Sequence, residues 1–239
     1  MSTDIESSLQ KKYGEKIKIY PPVVGTCKLV YVIEQDKNKF AVLIDRKKSV
    51  THQYRFLRSN YLQKFLFEQG LNVADVREIF EIYKGRVAAC HEFIDGINID
   101  TLNENTAYEV GKIIAEFHLK TKSGYIPHFR GKYRFLQYAD KLKSSLRIVS
   151  QLLQDPDFKG LPRGICHYDL NLTNFMLFNN QVYLIDFDRW RRWPYAYEIW
   201  RFIQNLDFAN IVLAGYQSVR SLEDAEKSYL NRKMPSLNL

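Results

Sequence analysis

The chain has 239 residues, of which 46% are hydrophobic and 14% are aromatic. This is enough apolar material for the core of one domain or of two lobes, and it excludes a disordered chain. No apolar run has membrane-spanning length, and the first residues lack the apolar core of a secretory signal. Cys27, Cys90 and Cys166 lie far apart without CxxC spacing, so neither a disulfide framework nor a zinc site is expected. We therefore expect a cytoplasmic protein.

The net charge is +8 and the sequence pI is about 9.2. Lysines and arginines are spread over the predicted helices, and they concentrate locally only between Arg189 and Arg192. No recognisable nucleic-acid-binding module surrounds that segment, so we expect no specific nucleic-acid partner. The charge leaves open a peripheral contact with an anionic membrane surface.

The first third of the chain alternates apolar runs with turn residues. It predicts a polar lead-in helix within residues 1–16. A Pro-Pro pair lies within 17–24, so any strand there is an edge strand or is interrupted. A turn at Gly25 leads into a strand at 28–33, and a polar hairpin turn separates this strand from another at 40–44. A single glycine is a weak functional signal, because any turn would use one.

The middle of the chain has the periodicity of helices and short strands. Apolar residues at helical spacing predict a helix over 53–69, and a glycine ends it. Two short strands are expected at 78–83 and 86–90, followed by a helix over 106–120. His118 in that helix is interpreted as a packed core residue and not as a catalyst.

The most informative segment lies in the last third of the chain. It has the pattern H-x-D-x4-N, which contains Asp169 and Asn174, and it continues into an apolar strand at 175–178. A tight polar turn and a returning strand follow, and the second strand ends at Asp186. The two ends of such a hairpin are neighbours, so Asn174 and Asp186 are expected to reach one ion.

These polar residues suit phosphoryl transfer, which needs positioning and charge neutralisation more than covalent participation by the protein. Asp169 can accept the proton of an attacking hydroxyl group. The Asn174 amide oxygen and the Asp186 carboxylate are suitable Mg²⁺ ligands, with Asp188 as an accessory. A lone His-x-Asp is usually a turn, and it is the combination at fixed spacing that makes the pattern specific.

Two segments resemble a known enzyme family. Residues 161–169 resemble the catalytic-loop entry, and Ile185-Asp186-Phe187-Asp188 the metal-binding motif, of the aminoglycoside-phosphotransferase-like branch of the kinase fold. That branch includes choline, homoserine and spore-coat kinases. The run Leu-Ile-Asp-Phe-Asp-Arg is also similar to one in the lipopolysaccharide-core (Kdo or heptose) kinases. The resemblance covers roughly residues 20–205 and is most specific in the C-terminal third.

The resemblance implies an α+β, bilobal, protein-kinase-like fold with a small antiparallel-sheet N-terminal lobe and a mainly helical C-terminal lobe. The lobes would be residues 1–90 and 97–239, joined by a hinge at 91–96. ATP and Mg²⁺ are the implied cofactors. The resemblance implies that backbone groups of the hinge bind the adenine edge and that the first glycine turn covers the phosphates. The residues implied for these contacts are Gly25, Glu92, Phe93 and Ile94.

The chain departs from the family pattern at the phosphate-binding lysine. Kinases of this fold pair a lysine on the third strand with a helical glutamate. Here Ile44 occupies the expected place, or Leu43 if the register slips, and no glutamate stands near Ser59 or Asn60. The loss of both the lysine and the glutamate is physically consistent, because either residue alone would be an unpaired charge. Strand alternation favours Arg46 as the replacement cation. Other candidates are Lys47, Arg55 and Arg58.

Three arginines follow the metal motif and border the expected acceptor site. Arg189, Arg191 and Arg192 suit an anionic acceptor, because guanidinium groups pair bidentately with carboxylate or phosphate. In the alternative interpretation the neighbouring tryptophans pack against the protein and the arginines are only solvated at its surface. The sequence supports the two interpretations equally. Glu198 stands near the position where the family often has an aspartate that braces the catalytic loop, and it can take that role.

The sequence thus predicts an ATP- and Mg²⁺-dependent kinase that phosphorylates a hydroxyl group of a small molecule or a glycan. The arginines and the lipopolysaccharide-kinase resemblance favour an anionic sugar as acceptor. One alternative is a pseudokinase scaffold that binds nucleotide or a partner, which the missing lysine–glutamate pair favours. A protein kinase ranks lower, because Tyr168 replaces the loop arginine and no Ala-Pro-Glu ends the short activation segment.

Overall fold

A computed structural model describes residues 2–25, 27–47, 49–123, 158–237 and 239. They form a small lobe built on an antiparallel sheet and a larger, mainly helical lobe, so the predicted α+β, two-lobed architecture is confirmed. The α-helices of these ranges are α1 Ser2–Tyr13, α2 Val50–Glu68, α3 Glu104–Lys120, α4 Tyr195–Ile203, α5 Ala209–Val219 and α6 Asp224–Lys233. The strands are β1 Lys18–Ile19, β2 Val23–Val24, β3 Lys28–Gln35, β4 Asn38–Asp45, β5 Val76–Ile82, β6 Arg86–Glu92, β7 Ile97–Asn98, β8 Arg163–Cys166, β9 Phe175–Phe178, β10 Gln181–Leu184 and β11 Arg191–Pro194.

The small lobe has a six-stranded sheet in the order β1-β3-β4-β6-β5, and β2 pairs with β3. The β3–β4 hairpin turns at Asp36 and Lys37, whose φ values of 50° and 68° are those that a two-residue hairpin turn requires. Alternation along β3 sends Leu29, Tyr31 and Ile33 to the face that forms a core with α1. Helix α2 packs on the opposite face, against β5 and β6.

The chain crosses between the lobes after β6. Strand β6 ends at Glu92, and β7 begins at Ile97, where it already pairs with Leu177 of the large-lobe sheet. A Cβ atom on Gly96 would lie 2.8 Å from the carbonyl oxygen of Leu177, so the crossing needs glycine at this point. The predicted hinge at 91–96 contains this crossing, and the domain boundaries stay a prediction.

Helices α3 and α5 of the large lobe cross with their backbones in contact. A Cβ atom on Gly111 would lie 1.9 Å from the carbonyl oxygen of Val212, and one on Gly215 would lie 2.0 Å from that of Tyr108. The two glycines therefore set the distance between the helices. The large-lobe core extends from this crossing to α4 and to the strands that carry the catalytic loop.

The ends of the predicted helices are set by capping residues. Helix α2 begins at Val50, three residues before the predicted start, and the Ser49 side chain accepts a hydrogen bond from the His52 N–H. Helix α3 begins at Glu104, after a capping box formed by Asn103 and Thr106. No helix in the described ranges is both long and apolar enough to cross a membrane.

Strand β11 has no counterpart in the sequence prediction. It pairs antiparallel with β8, and Arg191 lies opposite Cys166 while Trp193 lies opposite Gly164. The run Arg-Arg-Trp-Pro lacks the hydrophobic alternation that predicts a strand. The pairing fixes the arginine-rich segment against the strand that leads into the predicted catalytic loop.

Candidate active site

The predicted catalytic loop is anchored by a histidine. His167 is buried, and its Nε2 lies 2.9 Å from the carbonyl oxygen of Ile185, which ties the loop to the metal motif. Tyr168 has a left-handed backbone conformation with φ of 67°. The Asp169 side chain follows this turn and is 38% exposed. The predicted proton acceptor is therefore accessible to a bound compound.

The carboxylate of Glu198, on α4, braces the loop. It is buried and accepts hydrogen bonds from the backbone N–H of Tyr168, from that of His167 at 3.2 Å, and from His118 Nε2 at 2.8 Å. Burial raises the pKa of Glu198, but the hydrogen bond from His118 and the further contacts outweigh burial and hold this pKa below its ordinary value. An ionised carboxylate thus fixes the loop backbone, which is the role predicted for Glu198.

His118 belongs to this brace and lies in the core, as predicted. Its Nδ1 lies 2.8 Å from the hydroxyl of Tyr216, which accepts a hydrogen bond from Arg220 at 3.0 Å. Burial lowers the pKa of His118, so the imidazole is neutral and donates from Nε2 to Glu198. The network joins α3, α4 and α5 beneath the catalytic loop.

The same region brings three metal-ligand types together. Ligand atoms of His118, Cys166 and Glu198 all lie within 4.8 Å of one another. The histidine and glutamate are already bonded to each other, and the thiol of Cys166 lies 3.3 Å from the carbonyl oxygen of Trp193. Burial also raises the pKa of Cys166 well above its ordinary value, which keeps the thiol protonated. We assign this cluster to the hydrogen-bonded core.

Asn174 and Asp186 are brought together by the β9–β10 hairpin. Phe175 pairs with Leu184, and the N–H of Ile185 donates to the carbonyl oxygen of Asn174 at 3.0 Å. The side chain of Asn174 donates from Nδ2 to the carbonyl oxygen of Asp169 at 2.7 Å. This bond uses the amide nitrogen and leaves Oδ1 as the donor atom for a cation.

A lysine that sequence reasoning missed lies between the two aspartates of the metal motif. Lys28 Nζ is 3.0 Å from Oδ1 of Asp186 and 2.8 Å from Oδ2 of Asp188. Burial raises the pKa of Asp186, but the charge and hydrogen bond of Lys28 outweigh burial and lower it. Ser59 on α2 donates a hydrogen bond to Oδ1 of Asp188 at 3.0 Å.

The donor set at this position fits Mg²⁺. Asp186 and Asp188 present carboxylate oxygens to a single positive charge, the ammonium of Lys28, and Asn174 offers an amide oxygen from the adjacent strand end. Such oxygen ligands are the ones that Mg²⁺ uses when phosphates complete its coordination. Two carboxylates that converge on an ammonium can converge on a metal ion.

The register of the sheet corrects the predicted position of the missing lysine. A lysine that pairs with a glutamate on α2 must lie on the α2 face of the sheet. Ile44 pairs with Leu29 and lies in the core with α1, on the other face. Leu43 pairs with Val30 and packs with the cluster beneath α2. The equivalent position is therefore Leu43, and the choice of Ile44 was wrong.

Arg46, the predicted replacement cation, contacts the glycine turn. Its Nη1 donates to the carbonyl oxygen of Gly25 at 2.7 Å, and its backbone N–H donates to that of Cys27 at 2.9 Å. These bonds tie the end of β4 to the turn before β3. Direct phosphate binding by Arg46 stays a prediction.

Of the other candidate cations, Arg58 contacts the residue two positions after Asp188. Arg58 stacks on Trp190, with its guanidinium carbon 3.7 Å from the ring centroid, and it donates to the Trp190 carbonyl oxygen. The side chains of Lys47 and Arg55 are exposed. Arg58 thus joins α2 to the segment that follows the metal motif.

The three arginines predicted to bind the acceptor have different surroundings. Arg189 Nη1 lies 3.5 Å from Oδ1 of Asp169, and its side chain is 68% exposed. Arg191 stacks on the ring of Tyr168, with 3.5 Å from its guanidinium carbon to the centroid, and Arg192 is exposed. Of the three, Arg189 is the one placed beside the predicted proton acceptor.

The predicted hinge residues lie where the small-lobe sheet ends. The N–H of Glu92 donates to the carbonyl oxygen of Asp75 at 2.9 Å. The ammonium of Lys39 lies 5.5 Å from the ring centroid of Phe93, and Ile94 is buried. Their contact with an adenine ring stays a prediction.

A cavity of about 120 Å³ opens beside Asp169. It is much smaller than the ~300–1,000 Å³ of sites for drug-sized ligands, so it suits a small acceptor. Its charged lining residues are Asp169, Glu198 and Arg201. The lining residues are Tyr168, Asp169, Leu170, Tyr197, Glu198 and Arg201.

Comparison with known proteins gives a family match. The model of the phosphotransferase enzyme family matches residues 30–226. The chain is similar to a homoserine kinase of Mesorhizobium japonicum, with 31% identity over an alignment of 172 residues and coverage of 61% of this chain and 53% of that protein. A homoserine kinase of Gluconobacter oxydans is 32% identical over 172 residues, with coverage of 61% and 54%. The chain spans about half the length of these curated relatives.

Solved structures share the fold at low sequence identity. The amicoumacin kinase hAmiN, in complex with AMP-PNP, Ca²⁺ and Ami, has a TM-score of 0.67 and 17% identity, and the match covers 99% of this chain and 87% of that one. The aminoglycoside phosphotransferase APH(4)-Ia has a TM-score of 0.59 and 15% identity, with coverage of 100% and 85%. An ethanolamine kinase of Plasmodium vivax has a TM-score of 0.55 and 14% identity, with coverage of 93% and 72%. These likenesses confirm the kinase-like fold.

Proposed function

Because the chain belongs to the phosphotransferase enzyme family, we propose that it is an ATP- and Mg²⁺-dependent kinase acting on a hydroxyl group of a small molecule or a glycan. One observation carries the proposal: Asn174 binds the backbone of Asp169, and the hairpin sets the same Asn174 beside Asp186. The residues proposed as proton acceptor and as metal ligands are therefore neighbours, which supports the proposal. Phosphoryl transfer depends on this kind of positioning.

Each residue has a distinct part in the proposed reaction. The Asp169 carboxylate accepts the proton of the acceptor hydroxyl, whose oxygen forms a bond to the γ-phosphorus. The bond from that phosphorus to the bridging oxygen breaks, ADP leaves with the bonding electrons, and the proton passes from Asp169 to solvent. Asn174, Asp186 and Asp188 would hold Mg²⁺, which would neutralise charge on the phosphates.

On the nucleotide side, we infer that backbone groups of Glu92, Phe93 and Ile94 bind the adenine edge and that the turn at Gly25 covers the phosphates. The small lobe supports this arrangement, because the turn and the hinge lie on the connected strands β3, β4 and β6. Arg46 holds the turn through its bond to the Gly25 carbonyl oxygen.

We propose an acceptor that is small and carries an anionic group, such as a carboxylate or a phosphate. Arg189 beside Asp169 and Arg201 in the adjoining cavity offer guanidinium groups near the proton acceptor. Homoserine, the hydroxy amino acid named for the similar kinases, is the first acceptor to test, and anionic sugars are the second.

The test is an assay of the purified protein with radiolabelled ATP, Mg²⁺ and a panel of hydroxy amino acids, anionic sugars, aminoglycosides and amino alcohols. We expect acceptor-dependent ADP formation that EDTA abolishes. ATP binding without transfer to any acceptor would contradict the proposal and favour a scaffold. Label on a protein included in the panel would favour a protein kinase.

We also propose that the protein acts in the cytoplasm and that its net charge of +8 allows contact with an anionic membrane surface. Sedimentation with anionic vesicles, at low and at high salt, tests this contact. Binding that salt does not weaken would contradict an electrostatic origin.

A further inference from the structure

We propose that Lys28 is the phosphate-binding cation of this protein and replaces, from the neighbouring strand, the lysine that β4 lacks. The inference rests on the proposed function and deepens it. It assigns a nucleotide-binding role to a residue that the family pattern does not mark, and it explains how the site works without the usual lysine–glutamate pair.

Lys28 begins β3 directly after the glycine turn. The N–H of Gly25 donates to the carbonyl oxygen of Lys28 at 2.9 Å, and the carbonyl oxygen of Gly25 accepts a hydrogen bond from Arg46 at 2.7 Å. Both bonds fix the backbone from which the lysine side chain starts. The ammonium therefore comes from the part of the small lobe that would cover the phosphates.

Lys28 and the position of the missing lysine share one face of the sheet. Leu43 pairs with Val30, and Lys28 is two residues before Val30 on the same strand, so its side chain is on the same side. Diagonal neighbours of this kind are about 7–8 Å apart, which long side chains can bridge. A lysine at either position can reach the same point.

The point that Lys28 reaches is the metal motif of the large lobe. Its ammonium contacts Asp186 at 3.0 Å and Asp188 at 2.8 Å, and its side chain is only 17% exposed. The phosphates of a bound nucleotide must meet the metal ligands, so the ammonium already lies where phosphate oxygens would arrive. If the two carboxylates held a metal ion, the Lys28 ammonium would be free to bind the phosphates.

Lys28 lies on a different strand from the lysine of the family pattern, and its partners also differ from the usual glutamate. Ser59 stands in the region of α2 where a glutamate was expected, and its hydroxyl binds Oδ1 of Asp188 at 3.0 Å. The opposite oxygen of Asp188 contacts Lys28. In this structure the aspartates of the metal motif thus hold the ammonium, as a glutamate on α2 does in the family pattern.

Calorimetric titration with MgATP tests the assignment. We compare the wild type with Lys28→Gln, and we use Lys37→Gln as the control, because Lys37 is an exposed lysine in the turn at the other end of β3. The Kd for MgATP should rise at least about tenfold in Lys28→Gln, the scale of one charge-assisted contact, and should not change in Lys37→Gln. The Kd of Lys28→Arg should lie between those of the wild type and Lys28→Gln, since arginine keeps the charge but changes the shape of the charged group.

In a titration with Mg²⁺ alone, the affinity of Lys28→Gln should change in the opposite direction. The ammonium competes with Mg²⁺ for Asp186 and Asp188, so Lys28→Gln should bind free Mg²⁺ more tightly while it binds MgATP more weakly. Changes of opposite sign support the proposal. An MgATP affinity equal to that of the wild type overturns it, and so does a loss of both affinities, which would indicate a purely structural lysine.

Both titrations omit the acceptor, so the result does not depend on knowing it. Weaker MgATP binding by Lys28→Gln, combined with no transfer to any acceptor, supports the role of Lys28 while the proposed kinase activity fails. A wild-type protein that binds no MgATP overturns the role of Lys28 and the proposed function together.

Discussion

At Asp169 the backbone and the side chain have separate partners. The carbonyl oxygen accepts hydrogen bonds from Asn174 at 2.7 Å and from Asn171 at 2.9 Å, so a changed side chain leaves the loop anchored. We expect Asp169→Asn to fold and bind ATP normally but to lose at least about a hundredfold in turnover, because an amide cannot accept the proton. Turnover and ATP affinity are measured on one preparation, and near-normal turnover would remove Asp169 from its role.

Arg189 forms an exposed ion pair with Asp169, which contributes little to stability. We expect Arg189→Gln to leave the melting temperature unchanged and to raise the KM for an anionic acceptor roughly tenfold, the scale of one hydrogen bond to a charged group. Arg232→Gln, at an exposed position on α6, is the control. Equal effects of both changes would indicate general surface charge and not a specific contact.

At the scale of elements, α4 acts on the catalytic loop through one carboxylate. Glu198→Gln keeps the shape but replaces one acceptor oxygen with a donor, so a buried N–H loses its partner. We expect a loss of about 1–3 kcal/mol in the free energy of unfolding and a larger drop in kcat than rise in the KM for ATP. Urea unfolding and steady-state kinetics measure both effects. Glu109→Gln on α3 is the control, and an unchanged kcat would restrict Glu198 to folding.

The crossing of α3 and α5 predicts a second effect at this scale. Gly111→Ala would place a Cβ atom 1.9 Å from the Val212 carbonyl oxygen, so the helices must move apart. We expect a loss of about 1–3 kcal/mol, as for other overpacked cores, measured by urea unfolding. Asn105→Ala, at an exposed position of α3, should have a much smaller effect. Equal stabilities of Gly111→Ala and the wild type would show that the two helices accommodate the added Cβ atom.

At the scale of the whole molecule, buried histidines make the fold sensitive to acid. His91 joins the small-lobe sheet to α2, since its Nδ1 lies 3.1 Å from Gln63 Nε2 and its Nε2 bonds to Asn60. Burial, with a smaller contribution from the charge of Lys28, lowers the pKa of His91 to about 3. Burial lowers the pKa of His118 as well.

These pKa values determine the direction of the pH dependence. Unfolded histidine has a pKa of about 6.5, so below that pH the unfolded state binds more protons than the folded state. The contribution of His91 is complete above about pH 6.5 and declines by up to about 1.4 kcal/mol per pH unit as the pH falls towards the folded value. Urea unfolding between neutral and mildly acidic pH should show this decline and a shallower one in His91→Gln. An equal slope in the variant would assign the acid sensitivity to other groups.

The amino-acid sequence by itself determined the local parts of the site. The spacing from Asp169 to Asn174 and the tight turn at Asn179 and Asn180, whose φ values are 49° and 59°, fix the hairpin geometry over a short stretch of chain. Helical and strand periodicities placed α2, α3 and the strands of the small lobe for the same reason, because each pattern is set by neighbouring residues.

Only the tertiary structure decided which cation serves the metal motif. Lys28 and Asp186 are 158 residues apart and meet because the two lobes pack together. Alternation in a strand predicts two faces but not which one a helix covers, and for that reason Ile44 was chosen where Leu43 was the equivalent position. Strand β11 likewise exists through its pairing with β8, a distant contact that no local pattern of residues records.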